Sequence, residues 1–331
     1  MRKKELLAGI LCSSGAIGAL RLHRRSSLTV FNYHRIRRGR LATPFDAGVF
    51  GPSVEMFELQ MRWLKESADV VSEADVLDLA RSGRPIPGRC AMVTFDDGYI
   101  DNYELAFPVL RALDLPAIFF IPTRSIEQRT LGWWDIISYL VKRCAKDRVI
   151  FRAGSLPTAS PADRAATIRQ LLRLIKSTRG TSTEQVLNEL SRACEVELPA
   201  RDEQSSQLMT WEQIEEMSGK NMAVGSHTHS HGVLSTMDEE AQLSEMKRSK
   251  EILEARLHHE VRSLSYPVGG DAHFTGATKD AAHAAGYVMA FSFRNRVNRR
   301  RIRDPFDIKR ISPPEDLSVF KAVTVIPTVF L

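Results

Sequence analysis

CAMVTFDDGY, residues 90–99, is the stretch on which the fold turns: a strand-like run, apolar but for Thr94, leads straight into two carboxylates, a glycine and a tyrosine. Residues 90–95 are the most strand-like segment of the chain, and Pro85 and Pro87 break whatever precedes them. Two adjacent carboxylates at the end of a buried strand repel one another, which raises at least one pKa unless something positive lies alongside. Asp96 and Asp97 are therefore candidates for a catalytic or metal-binding role. Gly98 permits a tight backbone path, and the amide of Tyr99 can face an anionic intermediate. Asp-Asp-Gly is also ordinary turn chemistry, and either carboxylate can cap a helix starting near Asn102. This stretch alone leaves both readings open.

Outward from it the chain alternates. Residues 28–33 form a compact apolar run, read as a buried strand ending at His34. Ser53 can cap a helix whose inner side is Met56, Phe57, Met61 and Leu64; a short strand at Val70 and Val71 and a second helix from Ser72 to Gly83 follow. Beyond the aspartates, residues 102–113 have a helical pattern despite Pro108, and residues 117–121 are strand-like. Such alternation predicts an α/β core with its chemistry at the carboxyl ends of strands, and does not decide between an open and a closed sheet. Residues 132–208 differ, with helical patterns at 136–141, 165–175 and 184–193 joined by polar linkers, and read as a helical insertion. The core then resumes with a capping box at Thr210 and Gln213, a strand at 222–226, a helix at 237–257, a strand at 261–266, a helix at 275–285 and strands near Val288 and Ile308.

Residues 225–232 read Gly, Ser, His227, Thr, His229, Ser, His231, Gly. Each buried imidazole needs partners for its ring nitrogens, and a transition metal supplies one. On a helical turn His227 and His231 face one side, and an aspartate from another strand end completes a facial set with open coordination positions. In an extended segment His229 would join them. A polar surface turn and a nonmetallic histidine network are the competing readings, and spacing does not choose zinc from iron, cobalt, manganese or nickel.

Thr94-Phe95-Asp96-Asp97-Gly98, followed much later by His227-Thr228-His229-Ser230-His231, resembles the polysaccharide deacetylase family, the NodB-homology or carbohydrate esterase family 4 group. Ser265-Tyr266-Pro267-Val268-Gly269 is a looser third match, and the resemblance covers about residues 27–331, the insertion at 132–208 apart. It implies a distorted (β/α) barrel, often with fewer than eight units. It implies Asp96 as catalytic base, Asp97, His227 and His231 as ligands of a divalent transition metal with zinc preferred, and Tyr99 as donor of a backbone amide to the oxyanion. No ligand role passes to His229. The implied activity is hydrolysis of N-acetyl or O-acetyl groups on a polysaccharide or glycan precursor, releasing acetate; a noncatalytic carbohydrate-binding descendant is the alternative. Two positions depart from the pattern. Ser265 stands where the family commonly has an arginine that orients the base, and Arg310 is the candidate replacement. No histidine lies in residues 322–331, where the family usually places its general acid, so His34 is preferred, ahead of His273 and His283. Trp133 and Trp134 can stack on sugar rings or pack the start of a helix.

With 331 residues, 43% of them hydrophobic, the chain can bury a large core as one large or two modest domains. The net charge of +6 is concentrated at Arg35, Arg37, Arg38 and Arg40 and between Arg294 and Arg303. Neither cluster is interleaved with aromatic residues, so nucleic acid is not expected; a solvated face, an anionic glycan or an anionic membrane surface fits them. Cys12, Cys90, Cys144 and Cys194 are spaced as ordinary buried or half-buried thiols. Arg2, Lys3 and Lys4 precede an apolar stretch over residues 6–20, with Arg21, Arg24 and Arg25 after it. That order fits an export signal, an interfacial helix or a weakly packed terminus, and favours an exported or membrane-associated protein over a cytoplasmic one.

Overall fold

The computed structural model describes residues 2–22, 26–39, 43–152, 154–179 and 182–330; Arg24, Arg25 and Arg40 of the basic clusters lie outside them. The strands are β1 (Ser27–Tyr33), β2 (Arg35–Arg37), β3 (Phe50–Ser53), β4 (Asp69–Val70), β5 (Arg89–Asp96), β6 (Ala117–Ile121), β7 (Arg148–Phe151), β8 (Gly154–Pro157), β9 (Met222–Ser226), β10 (Ser263–Ser265), β11 (Met289–Ser292), β12 (Asn298–Arg299) and β13 (Ile308–Ile311). Seven of them pair in the order β1, β13, β11, β10, β9, β6, β5, and β5 returns to β1, with every pair parallel. The sheet is therefore closed, a distorted parallel barrel with helices outside it. β4 adds to one side of β5 and β12 runs antiparallel against β1.

Closure explains why the strands read as continuous apolar runs. Every residue of β1, β5 and β6 is buried, because one face meets the barrel interior and the other meets helices. On the outer face Tyr33 and Phe119 both stack on Phe95, and Phe57 of the helix Val54–Ser67 meets Tyr33 edge-on. β1 and β5 run in register from Ser27 with Arg89 to Tyr33 with Phe95. One step further along that register brings His34 to the level of Asp96.

The segment read as helical despite Pro108 is a π-helical turn, Asn102–Ala106, continued by the α-helix Phe107–Leu113. Proline offers no N–H to the preceding turn, and the wider π spacing accommodates that loss at the start of the α-helix. Between β6 and β9 the helices Trp133–Arg143, Pro161–Ser177 and Thr183–Cys194 pack on one another beside the barrel mouth, with the β7–β8 hairpin between the first two. Serine capping boxes begin the second and third, and the expected box at Thr210 and Gln213 begins the helix Trp211–Ser218. At the amino end the helix Arg2–Ser13 packs against the helix Leu317–Val325.

Candidate active site

Asp96 is the last residue of β5 and Asp97 the first beyond it. Both are buried; Asp97 and Gly98 form the turn that Asp-Asp-Gly permits, and neither carboxylate caps the helix that follows. Asp97 has φ 77° and Gly98 φ 69°, a left-handed pair that folds the chain back under the strand end. A Cβ on Gly98 would also crowd Ile126 at 3.1 Å.

The Asp96 carboxylate is held on every side. Arg310 from β13 donates to both oxygens, Nη1 to Oδ1 at 2.8 Å and Nη2 to Oδ2 at 2.9 Å. Asn32 Nδ2 donates to Oδ2 at 3.1 Å, and Asn32 Oδ1 accepts from Arg310 at 2.7 Å. Ser265, standing at the family's arginine position, accepts from Arg310 Nη2 at 2.7 Å. The positive partner thus enters from a different strand, and the small serine leaves room for its fully buried guanidinium. Burial alone would raise the Asp96 pKa; the Arg310 charge, with His227 beside it, overrides burial and holds the carboxyl well below the usual range.

Asp97 Oδ1, His227 Nε2 and His231 Nε2 form a triangle with edges of 3.1, 3.3 and 3.6 Å. They are the one group of three potential ligands found among the described residues. A tetrahedral cation with bonds of about 2.0–2.1 Å has ligand–ligand edges of about 3.4 Å, so the triangle fits a divalent metal. Asp97 Oδ1 is buried without a hydrogen-bond partner, which a cation would remedy. His227 Nδ1 lies 2.8 Å from the Ser265 carbonyl, which can only accept; the ring proton therefore sits on Nδ1, and the Nε2 lone pair faces the triangle. Burial drives the His227 pKa down to about 4 despite the pull of Asp96, which keeps the ring neutral as a ligand must be.

His227 and His231 converge by neither of the two regular geometries. The chain after β9 is irregular, with Thr228 at φ 63° and His231 at φ 55°. Backbone bonds from Thr123 N to Thr228 O and from Arg124 N to His229 O pin it to the segment after β6. His229 turns away and bonds Thr123 Oγ1 through Nδ1 at 2.9 Å, outside the ligand triangle.

His34 lines the same cavity, about 360 Å³, with Asp96, Asp97, His227, His231 and Arg310. Lys176 of the insertion lines it too, and sequence reasoning missed it because one lysine on an amphipathic helix carries no distinguishing signal. His273 lines a neighbouring cavity, and His283 packs against Phe306. The Tyr99 hydroxyl donates to Asp135 at 2.7 Å and accepts from Trp134 Nε1 at 2.6 Å. Its backbone pairs with Leu208 in a bridge whose hydrogen bonds run from Ile100 N and Met209 N, so the Tyr99 amide is not spent there. Trp134 packs on the His231 ring at 4.4 Å and Trp133 meets Trp134 edge-on, and both line the catalytic cavity.

Arg35 corrects the reading of its basic cluster as a solvated face. It is buried, bonds Asp101 at 2.7 Å and lies over the Tyr99 ring. Asp135 also accepts from the Asp46 amide at 2.8 Å, tying the loop before β3 to the insertion.

The polysaccharide deacetylase profile matches residues 83–290, well over half of the chain. The chain belongs to the polysaccharide deacetylase family. Among its relatives, YxkH of Bacillus subtilis is 22% identical over 272 residues, covering 82% of this chain and 66% of that protein. A poly-beta-1,6-N-acetyl-D-glucosamine N-deacetylase of Staphylococcus aureus is 28% identical over 125 residues, 35% of this chain and 43% of that one. The chain thus spans about two thirds of the first relative's length and less than half of the second's. The Streptococcus pyogenes deacetylase PplD, solved in complex with acetate, shares the fold, with a TM-score of 0.60 over 91% of this chain and 99% of its own at 17% identity. IcaB from Ammonifex degensii does so with a TM-score of 0.57 at 18% identity. In this polysaccharide deacetylase the arginine that holds Asp96 comes from β13.

Proposed function

We propose that this chain is a metal-dependent carbohydrate deacetylase that hydrolyses the acetamide of an N-acetylated glycan and releases acetate. The observation that carries the reading is the pairing of one carboxylate clamped by arginine with an adjacent carboxylate aimed at two imidazoles. A divalent cation, which we propose is zinc, would be held by Asp97, His227 and His231 and supplies Lewis acidity that acidifies water and polarises the acetamide carbonyl.

Asp96 accepts the proton of the attacking water. Its depressed pKa makes it a weak base, always ionised, and so dependent on a water more acidic than bulk. Arg310, Asn32 and Ser265 keep its oxygens from rotating toward other donors. The Tyr99 amide donates to the developing oxyanion, its residue fixed from behind by Asp135, Trp134 and Arg35. His34, at the strand end beside Asp96, protonates the departing amine. Exposing that amine turns a neutral sugar into a cationic one. The basic, apolar amino-terminal segment supports work at or beyond a membrane rather than in the cytoplasm.

The test is acetate release from a panel of N-acetylated oligosaccharides by protein stripped of metal and reloaded with zinc, cobalt, nickel or manganese. Turnover should need metal and fall by about 10³-fold or more in Asp96→Asn. Glycan binding without release for every metal would favour the noncatalytic alternative. Metal content measured in His227→Ala and His231→Ala should drop to background, and unchanged content in both would remove the ligand set. In His34→Gln, kcat should fall with little change in KM.

A further inference from the structure

The chain exposes nine large hydrophobic side chains among its described residues, and six of them belong to its two terminal segments. Leu6, Leu7, Ile10, Leu20 and Leu22 belong to the first twenty-two residues, and Val329 belongs to the helix Pro327–Phe330 beside them. Lys4 Nζ donates to the Phe330 carbonyl at 2.7 Å, which joins the two ends of the chain into one surface.

The helix Arg2–Ser13 is apolar on both sides. Ala8, fully buried, with Leu11 and Cys12 faces the domain, and Cys12 Sγ reaches the Ser318 carbonyl. Leu6, Leu7 and Ile10, at positions i, i+1 and i+4, face outward, with Leu6 68% exposed. Over Leu6 to Cys12 the helix is apolar on its outward side as well as its inward one, and an apolar face is ordinarily covered, so the outward face implies an occupant. It is no spanning segment: its 12 residues reach about 18 Å against about 30 Å of hydrocarbon, and Gly15 at φ 75° breaks it from the short helix Ala16–Leu20. No helix among the described residues is long and apolar enough to cross a membrane.

A second observation names the occupant. The carbonyls of Leu20 and Arg21 accept from Arg89 at the start of β5, so the segment is clipped to the amino-terminal end of the barrel strands. At that same end Ser27 pairs with Arg299, and Arg300 N donates to the Ser26 carbonyl. Arg299 and Arg300 are exposed there, Arg296, Arg301 and Arg303 of the same segment are exposed too, and among the described residues none of the five lies within ion-pairing distance of a carboxylate. Leucines that can enter the acyl boundary, together with these unpaired arginines and the exposed Lys3, complement an anionic bilayer surface. We propose that the amino-terminal helix pair, kept in the mature protein, seats the enzyme on an anionic lipid membrane in the plane of the interface. The catalytic cavity opens at the opposite ends of the strands, so seating does not require any residue that lines it.

The experiment is co-sedimentation of the full chain with vesicles of phosphatidylcholine alone or with one third phosphatidylglycerol. Binding should be strong only with the anionic lipid. It should weaken by about tenfold or more in Leu6→Glu/Ile10→Glu, and comparably in Arg299→Glu/Arg300→Glu/Arg301→Glu. Both variants alter exposed side chains, and thermal unfolding should match wild type. Equal sedimentation of wild type and both variants would overturn the proposal, as would absence of binding. So would a lipid-free dimer that Leu6→Glu/Ile10→Glu dissociates, which would assign the face to a second copy of the chain. Amino-terminal sequencing that finds residues 1–22 removed in cells would overturn it independently.

Discussion

At Asp96 two guanidinium nitrogens meet two carboxylate oxygens, and a lysine could meet only one of them. Arg310→Lys should therefore keep the fold and lower kcat about 10- to 100-fold with little change in KM, measured by acetate release. Arg310→Met removes the charge instead, and should cost about 3–5 kcal/mol of stability in urea unfolding because Asp96 is left buried without its partner. The pairing was legible in part: a missing arginine at position 265 and a basic residue at a strand end could be read, but their convergence needed the closed sheet. Asp135 gave no signal at all, since one aspartate in the first turn of a helix is ordinary. Burial pushes its carboxyl up to about 7, with the Tyr99 hydroxyl pulling the other way. An unfolded aspartate titrates near about 3.9, so between there and about 7 the native state holds a proton that the unfolded state lacks. Stability contributed at this site is then fully present at acid pH and declines as pH rises to about 7. Comparing urea unfolding at pH 5 and pH 7, Asp135→Asn should shrink the loss by roughly 2 kcal/mol relative to wild type.

Whole elements were most readable where both faces are buried. β5, β6 and β9 stand out as apolar runs because a parallel strand in a closed barrel has no wet side. The β7–β8 hairpin did not, because four alternating residues amid helical sequence give too short a period to register. The histidine loop failed differently. Regular geometry offered a helix or a strand, whereas the chain uses two left-handed residues, and nothing in Thr228 announces a conformation that β-branched side chains resist. What holds that loop in place is β9, and β9 lies close against its neighbours at Gly225. A Cβ there would come within 2.5 Å of the buried Phe120 ring and 2.8 Å of Ser263 Oγ. Gly225→Ala should cost about 1–3 kcal/mol in unfolding. Its displacement of β9 should also carry His227 away from Asp97, so the variant's zinc affinity should fall more than that of a surface substitution of equal stability cost. Equal affinities, titrated against a chromophoric chelator, would show that the loop holds its shape without the strand.

For the molecule as a whole, the question is whether the barrel needs its metal to fold. The three ligand atoms come from the ends of β5 and β9, which are separated only by β6 and are joined to it by backbone pairing on both sides. The triangle is thus positioned by a sheet whose strands are buried on both faces and whose closure does not pass through the site. A zinc-dependent small domain lacks such a core and unfolds when stripped; this chain has hydrophobic clusters that run through the barrel and its helices. The metal then contributes only by preferring the folded state, about 2.7 kcal/mol at a free concentration one hundred times its dissociation constant. Chelation should accordingly abolish acetate release while leaving the far-ultraviolet circular dichroism unchanged, and should lower the unfolding free energy by about that amount. In His227→Ala the stabilising increment on adding zinc should vanish. If stripping instead melts the fold, the ligands are holding the strand ends together, and the barrel's closure is weaker than its pairing and burial indicate.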